Sequence, residues 1–329
     1  MALYGHNSRE FQPRPSLGTL LVVGFFQFLL AIQFSALILH VFDSALAWSA
    51  GWDEVIVLHA PFAGDFMSPF FVSPPLERIY RMASPIVSLS GFALAVLLLV
   101  FWPGSSALAN RLFVHMLAFT LGAWGVLSVA FRPTAVEGVV AWSGFPALVW
   151  QAVFGIAGAL IVIMAERRTI QLLGNLFDVQ RPGGRFALWA CRIPLPTLIV
   201  AAIAYLSHFR AGCWALLAAA GLSALEVVLH DPSVSWERIA NPLMRTGAVV
   251  SAILAIAVVA ASVASFGIEA FDRESRVIEI SREWGVESET KEALLRKQLR
   301  DPESLEKQRD VIRFRGRESE VKPETSNER

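Results

Sequence analysis

Long apolar runs, which charged residues rarely interrupt, make up most of the first 266 positions of the chain. A helix needs about 20 residues to cross the ~30 Å hydrocarbon core of a bilayer, and seven of the runs approach or exceed that length. The pattern therefore predicts an all-α fold, a polytopic helical membrane bundle of about seven transmembrane helices. The predicted spans are 17–42, 84–102, 112–131, 141–165, 187–207, 213–230 and 246–266.

Composition and charge support the membrane class and divide the chain. Of the 329 residues, 55% are hydrophobic and only 17% are charged, which is outside the usual balance of a soluble domain. The net charge is zero, but residues 272–329 hold about half of all Asp, Glu, Lys and Arg. We therefore expect an N-terminal segment 1–16, a bundle 17–266 and a charged tail 267–329.

The tail is expected to be partly helical. One helix is predicted in "ETKEALLRKQLR", and a second begins at Asp301, which can cap a helix that has Pro302 at its first position. The final stretch, "RESEVKPETSNER", has the composition of a disordered segment.

Two connections differ from ordinary loops. Residues 43–83 are rich in aromatic residues and proline, which predicts an outer loop at or within the membrane interface. Residues 166–186 mix apolar residues with arginines, which predicts an amphipathic inner loop in the anionic leaflet.

Positive charge predicts the orientation of the bundle. Arginines precede the first span and fill the 166–186 connection, so the N-terminus is expected in the cytoplasm and the protein in the plasma (inner) membrane of a bacterium. Arg78 and Arg81 precede the second span and oppose this orientation. Arg273 and Arg276 beside the last span leave the side of the tail open.

The main polar candidate lies at the end of the sixth span. Glu226 and His230 are four positions apart and share a helix face, which suits either a buried metal or proton site or a polar cluster at the membrane interface. Pro232 follows Asp231 and ends the helix, which favours the interfacial cluster. Its candidate members are Glu226, His230, Asp231, Arg238 and Arg245.

Weaker candidates lie in other spans. His115 is close to a helix start and is expected at the interface, and Arg192 is expected to extend to the cytoplasm. Gln151 is interpreted as a helix-packing residue, and so are Gln33 and His40, which share a face of the first span. A further set is expected in a solvated loop: Asp53, Glu54, His59 and Asp65.

The Ser143–Gly144 pair in "AWSGFP" is similar to part of the serine element of rhomboid intramembrane proteases, and "RLFVHMLAF" is faintly similar to their second-helix signature. The chain departs from that family because Ala141 replaces a glycine and no histidine in a glycine-rich helix faces the serine. Ser143 is instead predicted to cap a helix and to pack in a stripe of small residues.

Several sequence motifs that mark metal-binding and nucleotide-binding proteins are absent from the chain. The chain has no recognised metal-ligand spacing and no nucleotide-binding glycine loop, so no metal, cofactor or nucleic-acid partner is expected. A structural, assembly or interaction protein demands least of this sequence, and we expect the lipid bilayer and a protein bound at residues 285–329 as its partners. A small-solute or proton-coupled transporter is the alternative, and an intramembrane enzyme is the third hypothesis.

Overall fold

A computed structural model describes residues 16–49, 56–67, 74–101, 108–173, 182–229, 244–272 and 275. Its helices are α1 (Leu17–Ser49), α2 (Pro74–Phe101), α3 (Leu108–Thr120), α4 (Glu137–Ser143), α5 (Ala147–Leu173), α6 (Pro182–Arg192), α7 (Pro194–Leu206), α8 (Arg210–Leu229) and α9 (Met244–Phe266). Short 3-10 segments lie at Leu127–Phe131, Pro133–Val136 and Glu269–Asp272, and two strands, β1 (Ile56–Ala60) and β2 (Ala63–Met67), lie between α1 and α2.

The described part of the chain contains seven helical stretches that are long and apolar enough to cross a membrane. The predicted all-α class and the predicted number of spans are thus confirmed, and the chain has the build of an integral membrane protein. The spans are Leu17–Leu46, Ser84–Phe101, Leu108–Phe131, Ala147–Leu173, Gly183–Leu206, Arg210–Leu229 and Thr246–Phe266.

The third span lies at the centre of the bundle, with 83% of its apolar window buried. After α3 the backbone continues as a π-helical segment, Leu121–Val126, and then as a 3-10 segment. Gly158 of α5 packs against this irregular backbone, and a β-carbon at position 158 would lie 2.6 Å from the backbone nitrogen of Leu127. The glycine therefore lets α5 approach the 3-10 segment closely.

The fourth span begins later and ends later than the sequence pattern predicts. Gly144 adopts a left-handed φ of 74° after α4, so the long helix starts at Ala147 rather than at position 141. The helix then continues through residues 166–173, which the pattern assigns to the inner loop. Leu173 at its end is fully buried in an apolar cluster with Leu20 and Leu188, and this packing extends the helix.

The fifth span is broken at Ile193. α6 ends at Arg192, and α7 begins with Pro194, which has no amide hydrogen to donate and is well placed in the first turn of a helix. α6 packs against α1 and α8. The break therefore places Arg192 inside the bundle.

A two-stranded antiparallel hairpin lies within the predicted outer loop 43–83. β1 pairs with β2 in a register that joins His59 to Gly64 and Ala60 to Ala63. The turn residue Phe62 has a φ of 62°, a conformation that residues other than glycine adopt uncommonly. The strands contact α1, α7 and α9, so part of this loop belongs to the bundle.

The chain divides into two units, Met1–Phe271 and Asp272–Arg329, and the second contains most of the charged tail. The predicted tail helices and the disordered end lie outside the described residues.

Candidate functional site

Two groups of polar side chains in the described part of the bundle contain its buried arginine, glutamate and histidine residues. Consecutive spans alternate in direction, so the end of the bundle where α1 begins is also the end where α5 and α8 finish. The charged cluster lies at that end and comprises Glu166, Arg167, Arg185, Arg192 and Glu226. The hairpin cluster lies at the opposite end and comprises Gln33, His40, His59, Phe62 and Ser262.

The centre of the charged cluster is a buried ion pair between α5 and α6. Arg192 Nη2 donates to Glu166 Oε1 at 2.5 Å, and the two side chains are only 2% and 1% exposed. Arg192 Nε donates to the carbonyl oxygen of Leu188 at 3.1 Å. The expectation that Arg192 extends to the cytoplasm is therefore wrong, because Glu166 provides a counter-charge inside the protein.

Glu226 lies at the rim of the same cluster. Arg167 Nε donates to Glu226 Oε1 at 2.8 Å, and the two side chains are 43% and 10% exposed. The pair joins α5 to α8 and is less buried than Glu166–Arg192. His230, Asp231 and Arg238 lie outside the described residues, as does the side chain of Arg245, so the predicted five-residue cluster stays a prediction.

Two further contacts fasten α6 to α8. Arg185 Nε donates to the carbonyl oxygen of Val227 at 3.0 Å, and Trp189 Nε1 donates to Ser223 Oγ at 2.8 Å. Arg185 is 4% exposed, although the sequence pattern places it in the amphipathic inner loop 166–186 at the membrane surface.

The weaker candidates hold separate positions. His115 on α3 is mostly buried, and its Nδ1 has no hydrogen-bond partner among the described residues. Gln151 Nε2 donates to the carbonyl oxygen of Ala130 at 3.2 Å and so joins α5 to the third span.

Ser143 fastens the turn between α4 and α5. Its Oγ accepts hydrogen bonds from Trp150 Nε1 at 2.9 Å and from the backbone nitrogen of Phe145 at 3.3 Å. Both described partners are donors, whereas a nucleophilic serine needs a base that accepts its proton. The predicted cap of the long helix is wrong, because Ser143 is the last residue of α4 and α5 begins only at Ala147. The predicted packing stripe of small residues stays a prediction.

The tip of the hairpin is attached to two helices through Gln33 on α1. Gln33 Oε1 accepts a hydrogen bond from the backbone nitrogen of Phe62 at 2.7 Å, and its Nε2 donates to Ser262 Oγ on α9 at 3.0 Å. Gln33 is fully buried, so the two contacts satisfy its amide and the turn at once.

The hairpin enters the bundle alongside α1. Ser262 precedes the end of α9 by four residues, so the tip lies about 6 Å inside that end. Gln33 contacts the turn at Phe62, and His40 lies beside His59 on β1, so the hairpin runs alongside α1. Non-helical backbone at membrane depth is tolerated where protein surrounds it, as here.

His59 is the most unusual residue of the hairpin cluster. It is 0% exposed, although the sequence pattern places it in a solvated loop. Its ring centroid lies 6.2 Å from that of His40 and 5.5 Å from that of Phe266. Neither ring nitrogen has a hydrogen-bond partner among the described residues.

Burial affects the chemistry of this imidazole. It lowers the pKa of His59 below its usual value, because the charged form loses its hydration. A histidine in the apolar stretch "VIVLHAPF" is the one sequence signal of this burial, and the stretch alone does not distinguish a buried strand from an interfacial loop.

Similarity to known proteins does not assign a function to either cluster. No family model, curated protein or solved structure matches the chain. Within the described ranges, no group of three or more His, Cys, Asp or Glu side chains is placed to hold a metal ion.

Proposed function

We propose that this protein is a structural, assembly or interaction component of a membrane, in which a rigid bundle presents the tail segment 285–329 to a partner protein. One observation supports a rigid bundle: interior polar side chains join elements that are distant in sequence. The contacts are Gln27–Ala109, Gln33–Ser262, Ser35–Thr120, Glu166–Arg192, Arg167–Glu226, Arg185–Val227 and Trp189–Ser223.

These contacts favour a single arrangement of the helices. A hydrogen bond between membrane helices contributes about 1 kcal/mol or less, so several of them, spread over both ends of the bundle, stabilise one packing together. A carrier instead needs polar groups that exchange partners between two states. In the described part of the bundle, Glu166, Arg192 and the amide of Gln33 already have direct protein partners. This arrangement favours one fixed packing over an exchange between two.

The proposal includes an orientation and a membrane. Arg167, Arg168 and Arg185 lie at the end of the bundle where α1 begins, which supports a cytoplasmic N-terminus in a bacterial inner membrane.

Copurification with matched truncations tests the docking role. The full-length chain, a variant lacking residues 285–329 and a control lacking only 317–329 are extracted from their native membrane in a mild detergent. They are compared on native gels, and bound proteins are identified by mass spectrometry. We expect a specific complex with the full-length chain and the control, and loss of that complex with the longer deletion at equal protein levels. A partner that stays bound after the longer deletion contradicts the proposal.

A small-solute or proton-coupled transporter is the second candidate, and His59 is the observation that favours it. A buried ionisable side chain within a membrane bundle is typical of ion and proton paths. The test measures proton flux into proteoliposomes that contain a pH-sensitive dye, with wild-type protein and His59→Phe. Flux that depends on His59 supports transport, and equal flux through both proteins excludes this histidine from a path.

A further inference from the structure

The two ring nitrogens of His59 lack a hydrogen-bond partner among the described residues, although the side chain is fully buried. An unsatisfied buried donor or acceptor costs about 1–3 kcal/mol, so native proteins rarely retain one without a water, an ion or a functional role. Two rings lie close to His59: the Phe266 ring packs on it, and the His40 ring has its centroid 6.2 Å away. A neutral imidazole offers a nitrogen lone pair, so a metal ion that binds nitrogen is a suitable partner for His59.

We propose that His40 and His59 together bind a Cu⁺ ion. A neutral imidazole keeps a lone pair on one nitrogen and is a good ligand for copper. His40 lies on α1 and His59 on β1, and the two rings approach from opposite elements with centroids 6.2 Å apart.

This separation matches a metal held between two opposed rings. With metal–nitrogen bonds of about 2 Å, two imidazoles on opposite sides of one ion have their centroids roughly 6 Å apart, whereas a tetrahedral pair has them at about 5 Å. The interplanar angle of 74° is compatible with the first arrangement, because each ring can rotate about its bond to the metal.

Among the described residues, the pair of imidazoles suits Cu⁺. Zn²⁺ in structural sites takes four protein ligands, and Cu²⁺ and Ni²⁺ favour square-planar or tetragonal sites. Within the described ranges, no third His, Cys, Asp or Glu joins the pair. Cu⁺ accepts two ligands, and a single charge is easier to bury in apolar surroundings than a double one.

The site also links the hairpin to the bundle. His59 is on the hairpin and His40 is on a membrane helix, so a bound ion joins the two elements near the end of α9. This inference is independent of the proposed docking function and of the tail.

The test uses the full-length protein in detergent, without oxygen and with ascorbate to keep copper reduced. Bathocuproine disulfonate competes for Cu⁺, and its colour reports the copper that the protein does not retain. We expect one Cu⁺ per chain for the wild type and at least about tenfold weaker retention for His59→Phe and for His40→Gln. His208→Asn is the matched control, because His208 is exposed and its φ of 63° suits asparagine, so its retention should equal that of the wild type.

X-ray absorption at the copper edge gives a second readout that does not depend on the variants folding. The wild type loaded with one Cu⁺ should show two nitrogen ligands at about 2 Å. Four results overturn the proposal: no retention by the wild type against the competitor, equal retention by both ligand variants, preferential retention of Zn²⁺, or a copper shell that contains sulfur.

Discussion

The buried ion pair between Glu166 and Arg192 provides the sharpest prediction on stability. Replacing Arg192 by Met removes the positive charge but keeps a long side chain in the space between α1 and α6. Glu166, which is 1% exposed, then loses its counter-charge within the bundle. The uncompensated buried carboxylate then opposes the native packing.

The expected size follows from the burial of both partners. Removing one partner of a buried ion pair typically costs about 3–5 kcal/mol, whereas replacing both by apolar residues of similar volume is often neutral or stabilising. We therefore expect Arg192→Met to lower the free energy of unfolding by about 3 kcal/mol or more. The double variant Glu166→Leu/Arg192→Met should lie within about 1 kcal/mol of the wild type, so the coupling between the two positions is on the order of 2 kcal/mol or larger.

Equilibrium unfolding in mixed micelles measures these differences. The fraction of SDS is raised and tryptophan fluorescence is followed, with Trp189 on α6 close to the pair. Arg168→Met is the matched control, because it removes an exposed arginine close to Glu166 on α5. It should change stability by less than about 0.5 kcal/mol. The single variant Glu166→Leu completes the comparison. If the loss of stability in the double variant equals the sum of the losses in Arg192→Met and Glu166→Leu, the charge pairing does not determine stability and the reasoning fails.

Three further predictions follow from other contacts. Gly24→Ala should destabilise the bundle by about 1–3 kcal/mol in the same assay, because a β-carbon there would lie 2.6 Å from a side-chain carbon of the buried arginine of α6, and a wild-type midpoint would contradict this. Gln33→Leu should raise hydrogen exchange at the Phe62 amide by at least about tenfold, because the substitution removes its acceptor, whereas Gln151→Leu should leave that amide unchanged. Acidification should release the hairpin: burial lowers the pKa of His59 in the docked state, so the released state binds more protons as the pH falls. The protection factor of the hairpin amides, which is the intrinsic exchange rate at each pH divided by the observed rate, should therefore fall between about pH 8 and pH 5 in the wild type and stay flatter in His59→Phe.

The sequence predicted the spans well and their interior partners poorly. Run length alone determines whether a segment can cross a bilayer, so the fold class followed from local information. Arg192 shows the limit, because its position next to Pro194 is consistent with an interfacial arginine, and its counter-charge is 26 positions away on another helix. No local pattern connects the two residues.

The hairpin shows a second limit. The prolines and aromatic residues of 43–83 indicate an irregular segment near the membrane. The rings that contact the buried His59 come from His40 on α1 and Phe266 on α9, which are distant from it in the chain. Glu226 is an intermediate case. The sequence indicated its position near a helix end, but it did not identify Arg167 as its partner. The roles of the tail and of His230 stay predictions.

The contact between Gln33 and Ser262 also determines when the fold can be completed during synthesis. α1 and the hairpin leave the ribosome early, whereas α9, which packs along α1 and bonds to Gln33, is synthesised 229 residues later. At about 5–20 residues per second, the interval is on the order of 10–50 s. During that time the newly inserted hairpin lacks one of its docking walls, so biogenesis requires either protection of this segment by the insertion machinery or its temporary residence at the membrane surface.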